Sequence, residues 1–490
     1  MIPSGDDPTD AAQRWVDGLG GRRILVAGIG LSGVAAARAL LDRDAQVVVV
    51  DGRDGVAERA VAVELTARGA QVRLGDAQTA VEAGLVVTSP GWRPDQPLLA
   101  AARAADIEVI GEVELAWRLA PGRPPWVGVT GTNGKTTTVG MLASILRAAG
   151  YRTVAAGNVG LPLVEAVLAD PPYDVLAVEL SSFQLHGTVW ARCHAGGLLN
   201  LAADHLDWHG SMAAYAADKV RIWRDDPDGV YNADDALVAR LAHQQLAPGH
   251  PFTLGPPPAG GFGVLDGDLV DRLAAGSPDD APVRYGSDGR VLARTADVAL
   301  RGPHNLANAL AAAAIARVAG LRPPLRVPGP AVAEGLRAYR PGPHRNALVA
   351  TVDGVAFVDD SKATNPHAAA ASLRAYDSVV WVCGGLLKGA DPSPLVAAAA
   401  TRLAGAVVIG LERAPFRDAF ARHAPGIPVI EVAATDTGAM EIAVRAAAGL
   451  ARAGDTVLLA PAAASMDLFR DYAARGDAFA AAVARLAGRE

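Results

Sequence analysis

The stretch GTNGKTTT, which begins at Gly131, combines the residue types that bind a phosphate group. Gly131 and Gly134 permit a tight turn whose backbone N–H groups point at phosphate oxygens, and the start of a following helix adds partial positive charge. Lys135 can reach a terminal phosphate, and Thr136 offers a hydroxyl to Mg²⁺. The usual pattern G-x-x-x-x-G-K-[ST] fails by one residue, because Val129 stands where its first glycine should be. An apolar run before the loop and a helical pattern after it still favour nucleotide binding over a chance glycine-rich turn.

A second glycine-rich turn contains Gly28, Gly30 and Gly33 and follows the apolar run RILVA. A helical stretch and the strand QVVVV come next, and the strand closes on Asp51. A βαβ unit with an acidic residue about 20 positions after the glycines is typical of ribose binding. Taken alone, this turn favours an NAD(P) enzyme, but the glycines also fit a close strand–helix turn with no ligand. Both interpretations stay open on these residues.

Carboxylate, imidazole and amine groups follow further along the chain. Glu179 ends the apolar run DVLAVE, where a carboxylate needs a partner, and Mg²⁺ at the phosphate loop is one candidate. A structural glutamate with an ordinary partner is the alternative. His205, Asp207 and His209 follow a predicted strand end, which is where open α/β sheets bind ligands. On the residues alone, Lys219 is interpreted as a surface lysine in an Ala-rich helix.

Two later segments add polar groups at predicted element ends. Asn305 and Asn308 are three residues apart, on one face near the start of a helix, where one fits an N-terminal cap and both fit contacts with a purine. The segment FVDDSKATNP ends a strand with Asp360, Lys362 and Thr364 in a turn. CGGLLKGAD and APAAASMDLFRDY end strands as well, which predicts a ligand site at strand ends of the last section.

The elements that carry these residues predict an α/β protein of three domains. Strand-like and helical runs alternate along the chain, and short Gly/Pro/Asp-punctuated runs between about residues 256 and 300 predict hairpins at a sheet edge. The Pro-rich segments 119–126 and 339–345 are predicted linkers. We therefore expect an N-terminal Rossmann-like domain over 1–118, a central P-loop ATPase-like domain with a mostly parallel sheet over 119–341, and a C-terminal Rossmann-like domain over 342–490.

Composition excludes several classes of protein. The 490 residues carry a net charge of −7, which argues against a nucleic-acid partner. No uninterrupted apolar run approaches the roughly 20 residues of a membrane span. Cys193 and Cys383 lie far apart in apolar surroundings, which fits buried thiols in a reducing cytoplasm.

The stretch MIPSGDDPTDAAQRW predicts a short disordered tail and no secretory signal. We expect a cytoplasmic monomer.

Together, the motifs GTNGKTT, DDSKATNP and SPG resemble the Mur ligase family, the ATP-dependent amide-forming enzymes of bacterial peptidoglycan synthesis. The resemblance runs from about Arg22 to the C-terminus. Within the family, DDSKATNP together with the SPG turn at Pro90 is similar to the member that adds D-glutamate to UDP-N-acetylmuramoyl-L-alanine. It implies ATP, this UDP-linked substrate and D-glutamate as partners, with an acyl phosphate as the intermediate.

The resemblance also implies a site in three parts. The UDP-linked substrate is expected at Ser32, Gly33, Asp51, Ser89, Pro90, Gly91 and Asn158. ATP is expected at Gly131, Thr132, Asn133, Gly134, Lys135, Thr136, Thr137, Asn305, Asn308, Arg345 and Asp360. D-glutamate is expected at Thr364, Lys388, Ser465 and Tyr472.

For the metal and the chemistry, the resemblance implies two Mg²⁺ ions and a lysine that reacts with CO₂. The expected metal ligands are Thr136, Glu179, His205 and Lys219, the last as a carbamate. The expected catalytic residues are Lys135, Glu179, His205, Lys219 and Lys362. The chain departs from the family pattern where Tyr472 replaces an expected Phe and Trp208 replaces the Arg usual in DHLDRHG.

Three rival interpretations make different predictions. A folylpolyglutamate synthase of the same superfamily should lack the N-terminal GxGxxG domain, so residues 1–118 count against it. A two-nucleotide oxidoreductase predicts NAD(P) binding and gives no reason for Lys135, Glu179 and His205. A binding module with decayed chemistry predicts nucleotide affinity without turnover.

Overall fold

A computed structural model of the chain describes residues 8–76, 82–120, 124–226, 228–247, 249–273, 284–285, 289–300 and 302–488. Its strands form three separate sheets with helices packed on them, so the predicted α/β class with three sheets is confirmed. Within those described ranges, no helix is long and apolar enough to cross a membrane.

The first sheet has five strands, all parallel, in the order β3-β2-β1-β4-β5. This is the Rossmann strand order 3-2-1-4-5-6 without its last strand, as the glycine-rich turn predicts. The strands are β1 Arg23–Ala27, β2 Gln46–Asp51, β3 Gln71–Leu74, β4 Leu85–Thr88 and β5 Val109–Gly111. The helices are α1 Pro8–Asp17, α2 Leu31–Leu41, α3 Val56–Ala67, α4 Pro97–Ala104 and α5 Glu112–Leu119.

The central sheet has ten strands in the order β14-β15-β13-β12-β11-β10-β9-β6-β8-β7. Strands β6 to β12 are parallel, and the three at the other edge pair antiparallel, which confirms the predicted hairpins near residues 256–300. The strands are β6 Trp126–Thr130, β7 Thr153–Gly157, β8 Val175–Glu179, β9 Ala195–Leu198, β10 Val230–Asn232, β11 His250–Phe252, β12 Phe262–Leu265, β13 Asp268–Asp271, β14 Arg284–Tyr285 and β15 Gly289–Arg294. The helices are α6 Lys135–Ala148, α7 Leu163–Val167, α8 Ser182–His186, α9 Leu206–His209, α10 Met212–Lys219, α11 Ala236–Gln245, α12 Pro303–Ala319 and α13 Gly329–Ala338.

The C-terminal sheet has six strands in the order β16-β17-β21-β18-β19-β20. Only the pair β16–β17 is antiparallel among the pairings of this sheet that the structure describes. The strands are β16 Ala347–Val352, β17 Val355–Asp359, β18 Val379–Gly384, β19 Leu403–Ile409, β20 Val429–Glu431 and β21 Thr456–Leu459. The helices are α14 Pro366–Leu373, α15 Ser393–Ala399, α16 Ala414–His423, α17 Ala439–Leu450 and α18 Tyr472–Leu486.

The hydrophobic cores follow the sheets. One continuous core includes β1 and β2 of the first sheet and β8 of the central sheet, and residues such as Val26, Val49 and Val178 are fully buried in it. Two further cores cover the two faces of the C-terminal sheet. The chain forms two compact units, Met1–Val298 with Ala307–Tyr339, and Ala299–Leu306 with Arg340–Glu490. The domain boundaries at 118/119 and 341/342 stay a prediction, and residues 121–123 of the first predicted linker lie outside the described ranges.

The predicted disordered N-terminal tail is wrong from Pro8 onward, where α1 begins. Ala12 of this helix is fully buried, and the ring of Trp15 lies 5.3 Å from the guanidinium carbon of Arg118. The apolar residues of α1 recur at helical spacing, which is the signal that the sequence interpretation overlooked. Residues 1–7, the rest of the predicted tail, lie outside the described part of the chain.

A buried carboxylate joins α5 to the central sheet. Glu114 is fully buried, and its carboxylate accepts the backbone N–H groups of Val189, Trp190 and Ala191 at 2.8–2.9 Å. It also pairs with Arg118 at 2.8 Å, whose guanidinium lies 4.1 Å from the Trp190 ring. Because every contact satisfies a buried polar group, these bonds fix α5 against the loop after α8.

Glu112 lies on the same helix, and its carboxyl group differs from that of Glu114 in its hydrogen bonding. It is the first residue of α5 and only 2% exposed; its Oε1 accepts the Val164 N–H at 2.8 Å. Its Oε2 has no hydrogen-bond partner within the described ranges. Burial raises the pKa of Glu112 to about 7, although the backbone bonds from Val164 and Leu163 oppose this effect.

We predict that Glu112→Gln stabilises the protein at pH 8 and has little effect at pH 5. An unfolded Glu titrates near about 4.3, so the native state holds the extra proton between that value and about 7, and stability falls as pH rises through this window. Gln keeps the acceptor for Val164 and cannot ionise, so the gain at pH 8 is on the order of 1–3 kcal/mol. Urea unfolding at both pH values measures it.

Glu114→Gln on the same helix is the matched control. It removes the charge that pairs with buried Arg118, so it should lower the unfolding free energy by a few kcal/mol. A Glu112→Gln effect of equal size at pH 5 and pH 8 would contradict the raised pKa.

Candidate active site

The phosphate loop joins β6 to α6, where the GTNGKTTT motif predicts it. Gly134 immediately precedes α6 with φ +83°, a left-handed conformation that favours glycine. A Cβ atom on Gly134 would lie 2.3 Å from Oδ1 of Asn308, so this asparagine packs directly against the loop. Thr136 is half-buried and Thr137 buried in the first turn of α6. Asn305 precedes Asn308 on α12 and is also buried.

The loop is held in place by hydrogen bonds from neighbouring elements. Lys135 donates from Nζ to the carbonyls of Gly131 and Thr132, each at 2.9 Å. Asn200 accepts the Asn133 N–H at 2.8 Å and donates to the Asn133 carbonyl at 3.0 Å. The sequence interpretation missed Asn200, which follows β9 by two residues. The pairing of β9 with β6 brings it to the loop, and its place after a strand end was the available signal.

Glu179 is the last residue of β8, which pairs with β6 on the side opposite to β9. Its side chain is buried, and Oε1 accepts the Asn158 side-chain N–H at 2.8 Å. The second oxygen, Oε2, is buried and has no hydrogen-bond partner among the described residues. A buried carboxylate oxygen without a donor carries a desolvation penalty, which a bound cation would offset. Of the two interpretations of Glu179, the cation-binding one fits this geometry better.

His205, another predicted metal ligand, lies on the segment between β9 and α9. His205 immediately precedes α9 with φ +53°; its Nε2 lies 3.6 Å from Asp204 Oδ2. Within the described ranges, no three or more His, Cys, Asp or Glu side chains form a group that could hold a metal ion. The residues that are present fit Mg²⁺ only if hydroxyl and carbamate oxygens or water complete the ligand set, and hard magnesium prefers such oxygen ligands.

Lys219, the last residue of α10, is buried with 1% of its surface exposed, so its interpretation as a surface lysine is wrong. Nζ donates to the Gly131 carbonyl at 2.8 Å and to Thr130 Oγ1 at 3.3 Å, directly beneath the phosphate loop. Burial, followed by the charge of Lys135, lowers the pKa of Lys219 well below its ordinary value. The neutral amine is therefore favoured at this position.

At the first sheet, Asp51 contacts the glycine-rich turn directly. Its Oδ2 accepts the Ile29 N–H at 2.9 Å, within the turn that begins at Gly28. The same carboxylate accepts the backbone N–H of Arg53 at 2.9 Å and two bonds from its guanidinium. Burial alone would raise the pKa of Asp51, but the bonds from Arg53 and Ile29 lower it below its usual value. Asp51 therefore lies at the strand end as an anion.

Two of the three glycines of this turn, Gly28 and Gly33, are required by close packing. A Cβ on Gly33 would lie 1.9 Å from the Gly28 carbonyl oxygen, and one on Gly28 would lie 2.4 Å from Ser89 Oγ. Ser89 thus packs on the turn, and its hydroxyl has no hydrogen-bond partner among the described residues. Ser32 adjoins Gly33, and Pro90 and Gly91 follow Ser89, so six of the seven residues predicted for the UDP-linked substrate lie at one end of this sheet. Asn158 lies instead beside Glu179.

A cavity of about 220 Å³ lies between the first sheet and the central sheet. Its lining includes Ser89, Trp92, Gln184, His186, Trp208 and Arg221. Trp208, the residue that departs from the family pattern, packs edge-on against His186 and Phe183, with ring centroids 5.1 and 4.8 Å away. The departure therefore adds an aromatic surface to the cavity wall.

In the C-terminal unit, three predicted D-glutamate residues follow neighbouring strand ends. The strand order places β21 between β17 and β18. The Ala462 N–H donates to the Ala363 carbonyl at 2.9 Å, next to Thr364. Leu386 and Ala464 exchange backbone bonds at 2.9 Å, which joins the segment that carries Lys388 to the one that carries Ser465. The structure thus brings these three segments together.

Tyr472 and Lys362 form a cation–π contact. Lys362 Nζ lies 3.9 Å from the centroid of the Tyr472 ring. The sequence interpretation missed two groups beside this pair. His344 Nδ1 lies 2.6 Å from Asp359 Oδ2, and buried Arg475 donates to Ser361 Oγ at 3.0 Å. The available signals were a basic residue in the predicted linker YRPGPHR and another just after the strand-end segment APAAASMDLFRDY.

Asp360 accepts hydrogen bonds from residues of the C-terminal unit. Its Oδ1 accepts the Asn346 N–H at 3.1 Å, and its Oδ2 accepts the Ser372 hydroxyl. Burial raises the pKa of Asp360 to about 6, while these bonds and the charge of Arg345 act in the opposite direction. Arg345 therefore lies close enough to influence the carboxylate, as expected for two residues of one predicted site.

Three family models match consecutive parts of the chain. The Mur ligase MurD-like N-terminal domain matches residues 22–111, the Mur ligase middle domain matches residues 129–255, and the Mur ligase glutamate ligase domain matches residues 344–463. These segments contain the first sheet, the phosphate loop and all six strands of the C-terminal sheet.

Whole-chain comparisons agree with these matches. The chain is 54% identical to the UDP-N-acetylmuramoylalanine–D-glutamate ligase of Thermobifida fusca, over 96% of this chain and all of the relative. It is 47% identical to the Mycolicibacterium smegmatis enzyme of that name, over 96% of this chain and 97% of the relative. Its fold is similar to the UDP-N-acetylmuramate–alanine ligase of Thermotoga maritima, with a TM-score of 0.56 at 17% identity, over 96% of this chain and 100% of that one. The chain belongs to the Mur ligase family.

Proposed function

We propose that this chain is the ATP-dependent ligase that adds D-glutamate to UDP-N-acetylmuramoyl-L-alanine through an acyl phosphate. One observation carries the proposal: Lys135, Glu179 and buried Lys219 meet at one edge of the central sheet in a chain 54% identical to such a ligase. The enzyme acts in peptidoglycan precursor synthesis, as a monomer in the cytoplasm. The oxidoreductase interpretation gives no account of these three residues.

The phosphate loop activates the substrate carboxylate. A carboxylate is a poor electrophile, so its oxygen attacks the γ-phosphorus of ATP, and the bond to the bridging oxygen breaks to release ADP. This transfer brings several negative charges together. Lys135 and the loop N–H groups stabilise them, while Asn200 keeps the loop in its binding conformation. Thr132, Asn133, Gly134 and Thr137 complete the loop, and Asn305 and Asn308 contact the adenine side.

Glu179 marks the edge of the central sheet at which magnesium would be held. Thr136, Glu179, His205 and carbamylated Lys219 would hold two Mg²⁺ ions, and the donor-free Oε2 of Glu179 supports this ligand set. When bound, Mg²⁺ supplies charge neutralisation at the phosphate oxygens. The carbamate forms when the neutral Lys219 amine attacks CO₂, which gives N-carboxylysine and releases one proton. Burial beneath the loop favours that neutral amine.

The C-terminal residues orient the incoming amino acid. Thr364, Lys388, Ser465 and Tyr472 contact D-glutamate, while Arg345, Asp360 and Lys362 act near the phosphates and ribose of ATP. The free amine of D-glutamate attacks the acyl carbon, and the tetrahedral intermediate expels phosphate to leave an amide. No covalent protein nucleophile is required, so positioning supplies most of the catalysis.

The first sheet binds the uridine end of the substrate. Ser32, Gly33, Asp51, Ser89, Pro90 and Gly91 contact it, and Asn158 contacts the sugar-diphosphate region. Ser89 packs on Gly28, and Asp51 accepts the Ile29 N–H. These contacts support the assignment, because they hold Ser89, the glycine-rich turn and Asp51 together at one end of the first sheet.

The function is tested by phosphate release from ATP in the presence of UDP-N-acetylmuramoyl-L-alanine, with and without D-glutamate. We expect sustained release only when D-glutamate is present, because the acyl phosphate otherwise has no acceptor amine. NADH and NADPH binding are measured in parallel. Phosphate release that ignores D-glutamate, or tight dinucleotide binding, would contradict the proposal.

We predict that Lys219→Ala folds normally and loses at least about tenfold in kcat, the usual loss when support of a metal site is removed. Added formate should restore part of the activity, because it supplies the missing carboxylate oxygen. Lys219→Arg should stay inactive, since guanidinium keeps its charge and cannot form a carbamate. Thermal unfolding confirms that each variant is folded.

Lys135→Ala is the control for formate rescue. A carboxylate cannot replace a missing ammonium, so formate should leave this variant inactive. Near-full turnover of Lys219→Ala without added carboxylate would rule out the carbamate.

We predict that Tyr472→Phe keeps near-normal kinetics, whereas Tyr472→Ala raises the KM for D-glutamate roughly two- to fivefold. The ring face that contacts Lys362 is common to Tyr and Phe, and a cation–π contact is worth about 0.5–1 kcal/mol at such sites. Steady-state kinetics with D-glutamate varied measures the effect. A large defect in Tyr472→Phe would show that the hydroxyl, and not the ring, is needed.

A further inference from the structure

Asp218 lies at the centre of a polar cluster that the predicted site does not include. It is 6% exposed and immediately precedes Lys219 in α10. Its Oδ2 lies 3.0 Å from His186 Nδ1 and 3.1 Å from His209 Nδ1, and its Oδ1 lies 3.5 Å from Arg221 Nε. One buried carboxylate therefore contacts α8, the end of α9 and the turn after α10.

The partners of Asp218 extend the cluster to both ends of α8. His209 Nε2 lies 2.9 Å from the hydroxyl of Ser182, the first residue of α8. Arg221 donates to the carbonyl of His186, the last residue of α8, at 3.0 Å, and to that of Thr188 at 3.2 Å. Both ends of this helix are thus tied to groups that contact Asp218.

The tied segments are too short to hold their own conformation. Helix α8 has five residues and α9 has four, whereas isolated helices shorter than about 12–15 residues are marginal in water. Each adjoins a proposed site residue, because Ser182 is three residues after Glu179, and α9 begins directly after His205. The contacts of Asp218 therefore join the segment after Glu179 and the segment after His205 to the helix that ends at Lys219.

We propose that Asp218 is a positioning residue that holds Glu179, His205 and Lys219 in register for the ligase reaction. The inference rests on the proposed function, since it is this reaction that needs the three residues together. His186 and Trp208 also line the cavity, so the same carboxylate stabilises part of its wall. The residues expected to bind D-glutamate lie on segments that follow strands of the C-terminal sheet.

The test is Asp218→Asn, which keeps the size of the side chain, removes its charge and replaces one of its two acceptor oxygens with an amide N–H₂. We expect kcat to fall by about 10–100-fold, the range for residues that support a metal site, with the KM for D-glutamate unchanged. Hydrogen exchange should accelerate in residues 181–187 and 205–210, because the charged hydrogen bonds that order both segments are weakened.

Asp226→Asn is the matched control. Asp226 is also buried and pairs with an arginine, Arg322, at 2.8 Å, but it has no contact with the cluster. We expect this variant to lose thermal stability while keeping kcat and the exchange rates of both segments. His209→Phe is the second cluster variant in case Asp218→Asn does not fold. It retains the ring packing against Phe183 and loses both polar contacts, so kcat should fall several-fold.

The measurements separate this proposal from the proposed function. If the unmodified chain releases no D-glutamate-dependent phosphate, the function is wrong, and hydrogen exchange still decides whether Asp218 orders the two segments. If Asp218→Asn or His209→Phe retains kcat within about twofold of the unmodified chain, or exchange in both segments is unchanged, Asp218 is not a positioning residue.

Discussion

The structure depends most on one geometric constraint: parallel strands that pair side by side end at the same edge of a sheet. In the central sheet, β9, β6 and β8 are neighbours, so Asn200, the phosphate loop and Glu179 meet although Asn200 and the loop residue Asn133 are 67 residues apart in the chain. The C-terminal sheet repeats the arrangement with β17, β21 and β18. Residues distant in the chain thus reach one site through backbone pairing alone.

At the central edge, this arrangement places ionisable groups where water cannot reach them. Lys219 lies buried against a loop carbonyl, and Glu179 Oε2 is buried with no donor among the described residues. Such groups lower stability unless a partner compensates for the lost hydration. Carbamylation and a bound cation would supply that compensation, so the features that disfavour the ligand-free fold are the ones that favour the proposed chemistry. Glu112 shows the same cost without a proposed ligand.

The two departures from the family pattern are accommodated by packing. Trp208 joins an aromatic group with Phe183, His186 and His209, and Asp218 ties two of these residues to α10. Tyr472 presents its ring to Lys362, a contact that a phenylalanine could also make. Both substitutions change local contacts and leave the strand ends that carry the phosphate loop and the DDSK turn in place.

The sequence by itself determined the features that are encoded locally. Glycine spacing predicts the two turns, apolar periodicity predicts the alternation of strands and helices, and the motifs GTNGKTT and DDSKATNP indicate the family, because each depends on residues adjacent in the chain. Only the tertiary structure decided the burial of Lys219, the cluster around Asp218 and the raised pKa of Glu112. Burial and pKa depend on which distant elements pack around a side chain, and no local pattern specifies that packing.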